Sequence, residues 1–535
     1  MKKRIFTFMV AFVAIVTGVQ AQVAIDETNF PDANFRAWLL DANNINGYGA
    51  DGQLTATEIA DVKNINVSEK EIVFLTGIEY FTELEHLTCS KNKLLELNLS
   101  KNTKLLSLDC DYNSNITELD LSQNTELDWV YCGFMPLTSL DLSKNTKLTV
   151  IGVTGDELTS LDVSMLPDLE CILCSRNGLT EIDVSKNPKM TQLTIDNNKL
   201  TKLDVSKNPL MEYLMCDYNK ITELKVSMLP ELKQLRCGYN QLTELDVSKN
   251  SNLENLNCSG NQLTSLDVTK NLKLKTLIVD SNPMSSLDWT RNTELEYLYC
   301  AIGLTSVDVT MLPNLERLGC SSNKLTSLDL SKNPNLWELY CINCGLPSLD
   351  LSNNPMMRLL VCDKNQLTSL DLTPCPMLTG LGCCYNQLTT LDVSHNERLV
   401  EILCYHNQLK TLDLSHNNKL ENFACYQNLI RGEGMDALVN SLPTVDNIPL
   451  YVYVDETPIG NEMTEAQVAV AKSKGWLPKW KDESSWEWYD YEGTGINAIE
   501  NDRQVNDNWY SLDGRRIEQP MKGVYVTKGR KVVVK

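Results

Sequence analysis

Apolar residues recur along most of this chain on a fixed beat. Residues 237–258, CGYNQLTELDVSKNSNLENLNC, show the unit. Aligned on the opening cysteine it reads L-x-x-L-x-C-x-x-N-x-L-x-x-L-D-V-S-K-N-P-x. The beat falls at 89, 110, 132, 153, 174, 195, 216, 237, 258, 279, 300, 320, 341, 362, 383, 404 and 425. The step is 21 residues, except one of 22 and one of 20. Fourteen of these seventeen positions are Cys, and the others are Val153, Ile195 and Val279. A weaker turn ending at Val67 precedes them.

The stretch x-L-x-C-x alternates, which predicts a short strand with Leu and Cys facing inward. An Asn three residues after the Cys, as at Asn219, Asn240 and Asn261, turns the chain and can hydrogen-bond neighbouring backbone. A second apolar pair, such as Leu245 and Val247, packs from the opposite wall. Asp-Val-Ser-Lys-Asn-Pro reads as a polar turn, so its repeated Asp is a turn residue. One unit cannot bury its own apolar face, but stacked units share a continuous core. This is the pattern of a leucine-rich repeat. The expected fold is an α/β-type repeat solenoid, a horseshoe or arc with a parallel strand on the concave face of each 21-residue turn.

The flanks break the beat. Residues 22–64 should form a helical cap on the solenoid's open end. NFPDANFRAWLL predicts a helix with Pro31 near its first turn, and TATEIADV a second short helix. Between them Asp51, Gly52, Leu54 and Glu58 match part of an EF-hand loop, but Gly47 and Gly49 fall where carboxylates belong. A metal-free cap is expected, and the calcium alternative would rest on Asp51 and Glu58. Residues 65–428 are the repeats. Residues 429–492 predict an α/β cap: helix in GEGMDALVNSLP, strand in IPLYVYVD, helix in MTEAQVAVAKSKGW, strand in SSWEWYDY. Its tryptophans, Trp476, Trp480, Trp486 and Trp488, read as core or capping residues. Residues 493–535 read as a linker and a small β module.

The N-terminus has Lys2, Lys3 and Arg4, then apolar residues from Ile5 to Val16, then Val19-Gln20-Ala21. Residues 1–21 thus predict a secretory signal peptide, and no transmembrane segment is expected after it. The formal net charge of −22 disfavours non-specific nucleic-acid binding. Export raises the question of the 18 cysteines. Parallel strands lie about 4.8 Å apart, whereas disulfide Cβ atoms want about 3.8 Å. Val and Ile replace Cys on the beat, which supports a packing role for a small apolar side chain. A ladder of buried, reduced thiols is therefore expected over a disulfide framework or metal binding. Cys171 should face outward beside inward Cys174, Cys344 replaces the turn Asn, and Cys375 and Cys384 should lie off the ladder and exposed.

The 21-residue period, the cysteine ladder and the LTSLDVSKN phrasing resemble the internalin family of leucine-rich repeat proteins over about residues 65–428. That resemblance implies a surface adhesin, although the chain has no LPxTG-type anchor. The tail WYSLDGRRIEQPMKGVYVTKGRKVVVK resembles the sorting signal of type IX secretion cargo in Bacteroidetes. Tyr510, Leu512, Gly514, Arg515, Gly523 to Tyr525 and the basic end carry the likeness. It implies secretion or display at the outer cell surface.

A solenoid's strand face is its usual binding surface. Just before the turn Asn lie Tyr112, Tyr218, Tyr239 and Tyr385. Beside the ladder lie Tyr131, Tyr299 and Tyr340, and one outward position earlier Trp129, Tyr213 and Tyr297. Phe134, Tyr405 and Tyr426 add to this face, with acids including Asp217. Such aromatics are enriched in binding hot spots, although tyrosine also suits exposed strands. Tyr112, Trp129, Tyr131 and Phe134 form one cluster; Tyr213, Tyr218 and Tyr239 with Asp217 form another. No G-x-S-x-G, H-E-x-x-H or P-loop pattern is present, so no enzyme and no cofactor are expected. His395 and His416 replace a turn Lys, whereas His86 and His406 should face the concavity. A protein ligand is expected on the concave face. A polysaccharide or a purely structural surface role are the alternatives.

Overall fold

The computed structural model describes residues 22–454, 460–481 and 488–491, with the backbone of four strands between Trp509 and Val534. The expected signal peptide, Trp486, and Leu512, Gly514 and Arg515 of the tail pattern lie outside the described residues. Two compact units divide between Asn271 and Leu272.

In the first unit, helix α1 (Ala33–Leu40) is capped by Asp32, and Pro31 stands directly before the cap, near the first turn. One Asp32 carboxylate oxygen accepts the Asn34 and Phe35 N–H groups at 2.9 Å. The other accepts Val73 N–H at 2.8 Å, which ties the helix to the first repeat. Helix α2 (Ala56–Asp61) starts at a capping box of Thr55 and Glu58. Strands then follow one per turn, parallel and in register, from Asn64–Asn66 to Asn255–Asn257. The pairing Leu214–Leu235–Leu256 shows the register.

The physical logic of a turn is plain at residues 234–250. Strand Gln234–Arg236 has one inward residue, Leu235, and Cys237 follows it; both are fully buried. Burying a Leu side chain stabilises by about 1.5–3 kcal/mol. Asn240 then satisfies backbone on two turns. Its amide donates to the Cys216 and Cys237 carbonyls at 2.9 and 3.1 Å, and its oxygen accepts Ile221 N–H at 3.0 Å. Leu245 and Val247 close the opposite wall. The Asn of Ser-Lys-Asn is no exposed turn residue. Asn250 is fully buried and donates to the Val226 and Leu229 carbonyls at 2.9 and 2.7 Å. A second asparagine ladder therefore runs down the back of the repeats. Asp246, as expected, organises its turn by accepting Ser248 N–H at 2.9 Å.

The second unit repeats this turn from strand Thr276–Ile278 to Asn422–Ala424. Helix α3 (Glu433–Ser441) leads to strand Ile448–Val454, which continues the parallel sheet. Helix α4 (Glu465–Ser473) leads to Trp476–Lys481, parallel to it, and Trp488–Asp490 pairs antiparallel. The strand Trp476–Lys481 was not legible in the sequence. Trp476 is fully buried and donates to the Pro443 carbonyl at 2.8 Å. Near the C-terminus, Gly523–Thr527 pairs antiparallel with Trp509–Ser511 and Arg530–Val534.

All eighteen cysteines are thiols, and only Cys171 is not buried. The expectation of exposure at Cys375 and Cys384 is corrected: both are fully buried. Cys375 takes a rung of the back ladder, and its thiol points at the Asn354 carbonyl at 3.7 Å. Cys384 lies next to Cys383, and its N–H is held by the Asp363 carboxylate at 2.7 Å. Among the described residues no helix is long and apolar enough to cross a membrane.

Candidate functional site

The backbone after each Cys decides where the aromatics sit. Tyr112, Phe134, Tyr218, Tyr239, Tyr385 and His406 have φ between +52° and +59°. They stand in a left-handed turn just past the strand, so the explanation from strand propensity does not reach them. A left-handed conformation costs an L-residue roughly 1–2 kcal/mol. Sister repeats place Gly155, Gly260, Asn197 and Asn343 there, residue types that relieve the cost. The aromatics accept that cost, as Lys91, Arg176 and Lys364 do in other repeats.

The rings stack along successive repeats. Tyr112 and Phe134 lie 4.2 Å apart at 8°, and Tyr218 and Tyr239 lie 4.4 Å apart at 6°. Tyr112, Tyr218 and Tyr239 remain 47%, 49% and 49% exposed. One outer face of each pair, on the side of the following repeat, is also covered. A Cβ on Gly155 would meet the Phe134 ring at 2.7 Å, and one on Gly260 the Tyr239 ring at 2.8 Å. Each pair therefore presents its ring edges and its tyrosine hydroxyls, together with the outer side of Tyr112 or Tyr218.

Beside the first pair, the outward strand positions form an apolar patch. Trp129 aligns with Val150 and Cys171, and Tyr131 with Gly152 and Leu173. The Tyr131 ring lies over Gly152, and Trp129 tilts against it at 5.2 Å. Burial pushes the half-exposed Cys171 thiol up. The first expected cluster is thus two ring pairs in neighbouring repeats. In the second cluster, Tyr213 is half-buried on strand Tyr213–Met215. Asp217 is not an open ligand group. It is 2% exposed, pairs with the Arg236 guanidinium at 2.7 Å and accepts Gly238 N–H at 2.6 Å. Burial raises its carboxyl despite Arg236.

In the second unit, Tyr297, Tyr299 and Tyr340 surround an internal ionic network. The Arg317 guanidinium lies over Tyr297 at 5.1 Å and over Trp337 at 4.3 Å. Tyr299 donates to Glu338 at 3.3 Å, and its ring covers Gly319. Burial, then Glu338, push the Tyr299 hydroxyl up to about 12. A larger group lies further on. Tyr385 stacks on His406 at 4.1 Å, and Tyr405 on Tyr426 at 4.3 Å. Edge contacts of 5.6 Å between Tyr385 and Tyr405 and 5.8 Å between His406 and Tyr426 join the two columns. Trp488 extends them at 5.5 Å from Tyr426. Burial raises both Tyr405 and Tyr426. The sequence named Tyr385 and Tyr405 without this grouping. Reading one offset down consecutive repeats, Tyr385 to His406 and Tyr405 to Tyr426, would have found it.

The remaining candidates have local roles. Glu58 accepts Thr55 N–H at 2.7 Å in the capping box, and Asp51 accepts Gln53 N–H at 3.0 Å. His86 shares a 2.6 Å hydrogen bond with Ser107 on the next strand, and His395 and His416 are exposed on turns.

Comparison with protein-family models and with curated proteins found no match. Solved structures did match. The functional domain of InlJ from Listeria monocytogenes, which includes a cysteine ladder, is 32% identical over 77% of this chain and 82% of that one, with a TM-score of 0.55. This chain belongs to the internalin-type cysteine-ladder leucine-rich repeat proteins. A second Listeria monocytogenes internalin, inlF, is 20% identical over 66% of this chain and all of that chain, 100%, with a TM-score of 0.53. An LRR protein of Leptospira interrogans is 20% identical over 71% and 94%, also with a TM-score of 0.53. These two show the leucine-rich repeat fold alone.

Proposed function

We propose that this internalin-type chain is an exported surface or secreted adhesin that binds a protein partner through the aromatic-rich outward face of its strands. The observation that carries this reading is the set of stacked pairs held at left-handed turns, Tyr112 with Phe134 and Tyr218 with Tyr239. A sugar ring stacks on an open aromatic face, and in each pair three of the four ring faces meet a neighbouring ring or a glycine. Exposed edges and hydroxyls fit the mixed apolar and hydrogen-bonding contacts of protein hot spots. The Trp129, Val150, Cys171 and Leu173 patch supplies adjoining apolar area. The N-terminal signal pattern and the type IX-like tail support export to the outer surface.

The test is capture from cell-surface extracts by the immobilised chain, with and without prior protease treatment of the extract. Loss of capture after protease supports the adhesin. Capture that survives protease and yields to soluble glycan would put the protein in a carbohydrate-binding class.

A further inference from the structure

One rung of the turn-asparagine ladder is an acid. At a normal rung, the asparagine oxygen accepts an N–H of the preceding repeat and the amide donates to two carbonyls. Asn177 does this with Leu158 N–H at 3.0 Å and with the Val153 and Cys174 carbonyls at 2.7 and 3.3 Å. Asn113 does it with Leu94 N–H at 3.2 Å and with the Cys89 and Cys110 carbonyls at 3.1 and 2.9 Å. Asp156 stands at the same offset, three residues after Val153. Its Oδ1 accepts Met135 N–H at 2.8 Å, an N–H two residues earlier in the preceding repeat than the one a sister asparagine takes. Its Oδ2 is buried without a hydrogen bond, in a residue only 6% exposed. Sister asparagines bring an amide donor to this offset, where Asp156 brings a second oxygen. A carboxylate supplies only acceptors there; a carboxylic acid supplies the missing donor.

A second acid sits on the other side of the same aromatic. Asp111 accepts Gly133 N–H at 2.6 Å. The backbone N–H groups immediately before and after Phe134 are thus held by the half-buried Asp111 and the buried Asp156, and Phe134 is half of the first stacked pair.

We propose that Asp156 carries a proton on Oδ2 in the folded protein, and that losing it loosens the turn at Phe134–Met135, so this part of the strand face is proton-sensitive. The titratable groups that face Asp156 from the preceding repeats are Asp111 and Cys132. On the following repeat Cys174 is buried and Arg176 is exposed, and the adjoining Glu157 is exposed. Burial, reinforced by Asp111, pushes Asp156 up to about 7. Burial, reinforced by Asp109, pushes Asp111 up to about 6. The folded state therefore binds more protons than the unfolded chain from the ordinary carboxylate range up to these values. Stability falls as pH rises through that window and levels off above it.

Hydrogen exchange followed by mass spectrometry on the full chain tests this, with the intrinsic pH dependence of exchange divided out. The opening of the segment containing Met135 should rise at least about tenfold from pH 5 to pH 7, within the limit of tenfold per pH unit per linked proton. Asp156→Asn should remove most of that rise, and adding Asp111→Asn the rest. Asn240→Asp should install a similar rise at the Ile221 segment. A wild type without the rise, an Asp156→Asn variant that keeps all of it, or an Asn240→Asp variant that gains none would each overturn the proposal.

Discussion

Cys237, Val153 and Ile195 occupy the same fully buried site in their repeats. Burial pushes the Cys258 and Cys425 thiols up to about 12, so these groups are neutral, small and apolar at physiological pH. Cys237→Val should therefore cost less than about 1.5 kcal/mol. Cys237→Ser inserts a hydroxyl into an apolar slot and should cost about 1–3 kcal/mol. Denaturant unfolding of both variants checks the order. Reactivity follows the same logic. A thiol reagent on the folded protein should modify Cys171 first, and Cys171→Ser should abolish that phase. In denaturant the count should reach 18, one for each cysteine of the chain. A denatured count near zero would mean that the isolated protein carries disulfides, against the thiol ladder.

Two asparagine ladders hold each turn to its neighbours, and they differ in how openly the sequence announced them. Asn240 stands between apolar positions and was readable as a backbone-binding turn residue. Asn250 sits among Ser, Lys and Asn, so its surroundings look like an exposed loop, yet it is fully buried. Asn250→Ala leaves two buried carbonyls without their donor and should cost about 1–3 kcal/mol. Lys249→Ala, next door and exposed, should stay within about 0.5 kcal/mol. Equal effects in thermal unfolding would remove the back ladder from the account. Strand positions, the cysteine beat and the capping helices followed from alternation and periodicity, which depend on local order alone. The site was only half legible. Tyr112 and Tyr239 were found as outward aromatics, but their left-handed backbone and their stacking depend on register between repeats. Asp217 was misread because its partner Arg236 lies on the next turn, and Cys375 because its rung was taken for a surface loop.

At the scale of the whole molecule, repetition fixes the frame, and the proposed binding surface lies in the few positions that vary outward. The proposed recognition lies on the stacked aromatics rather than on the back turns, which carry the exposed Lys207 and Lys249. The decisive measurement is the affinity of the full chain for the protein it captures, compared across paired variants. Tyr112→Ala with Phe134→Ala, or Tyr218→Ala with Tyr239→Ala, should weaken binding by about 30-fold or more, the scale of a hot spot near 2 kcal/mol. Lys207→Ala with Lys249→Ala should change it less than about twofold. Affinity that both aromatic pairs leave untouched, or that the back-turn lysines reduce as strongly, would contradict the account.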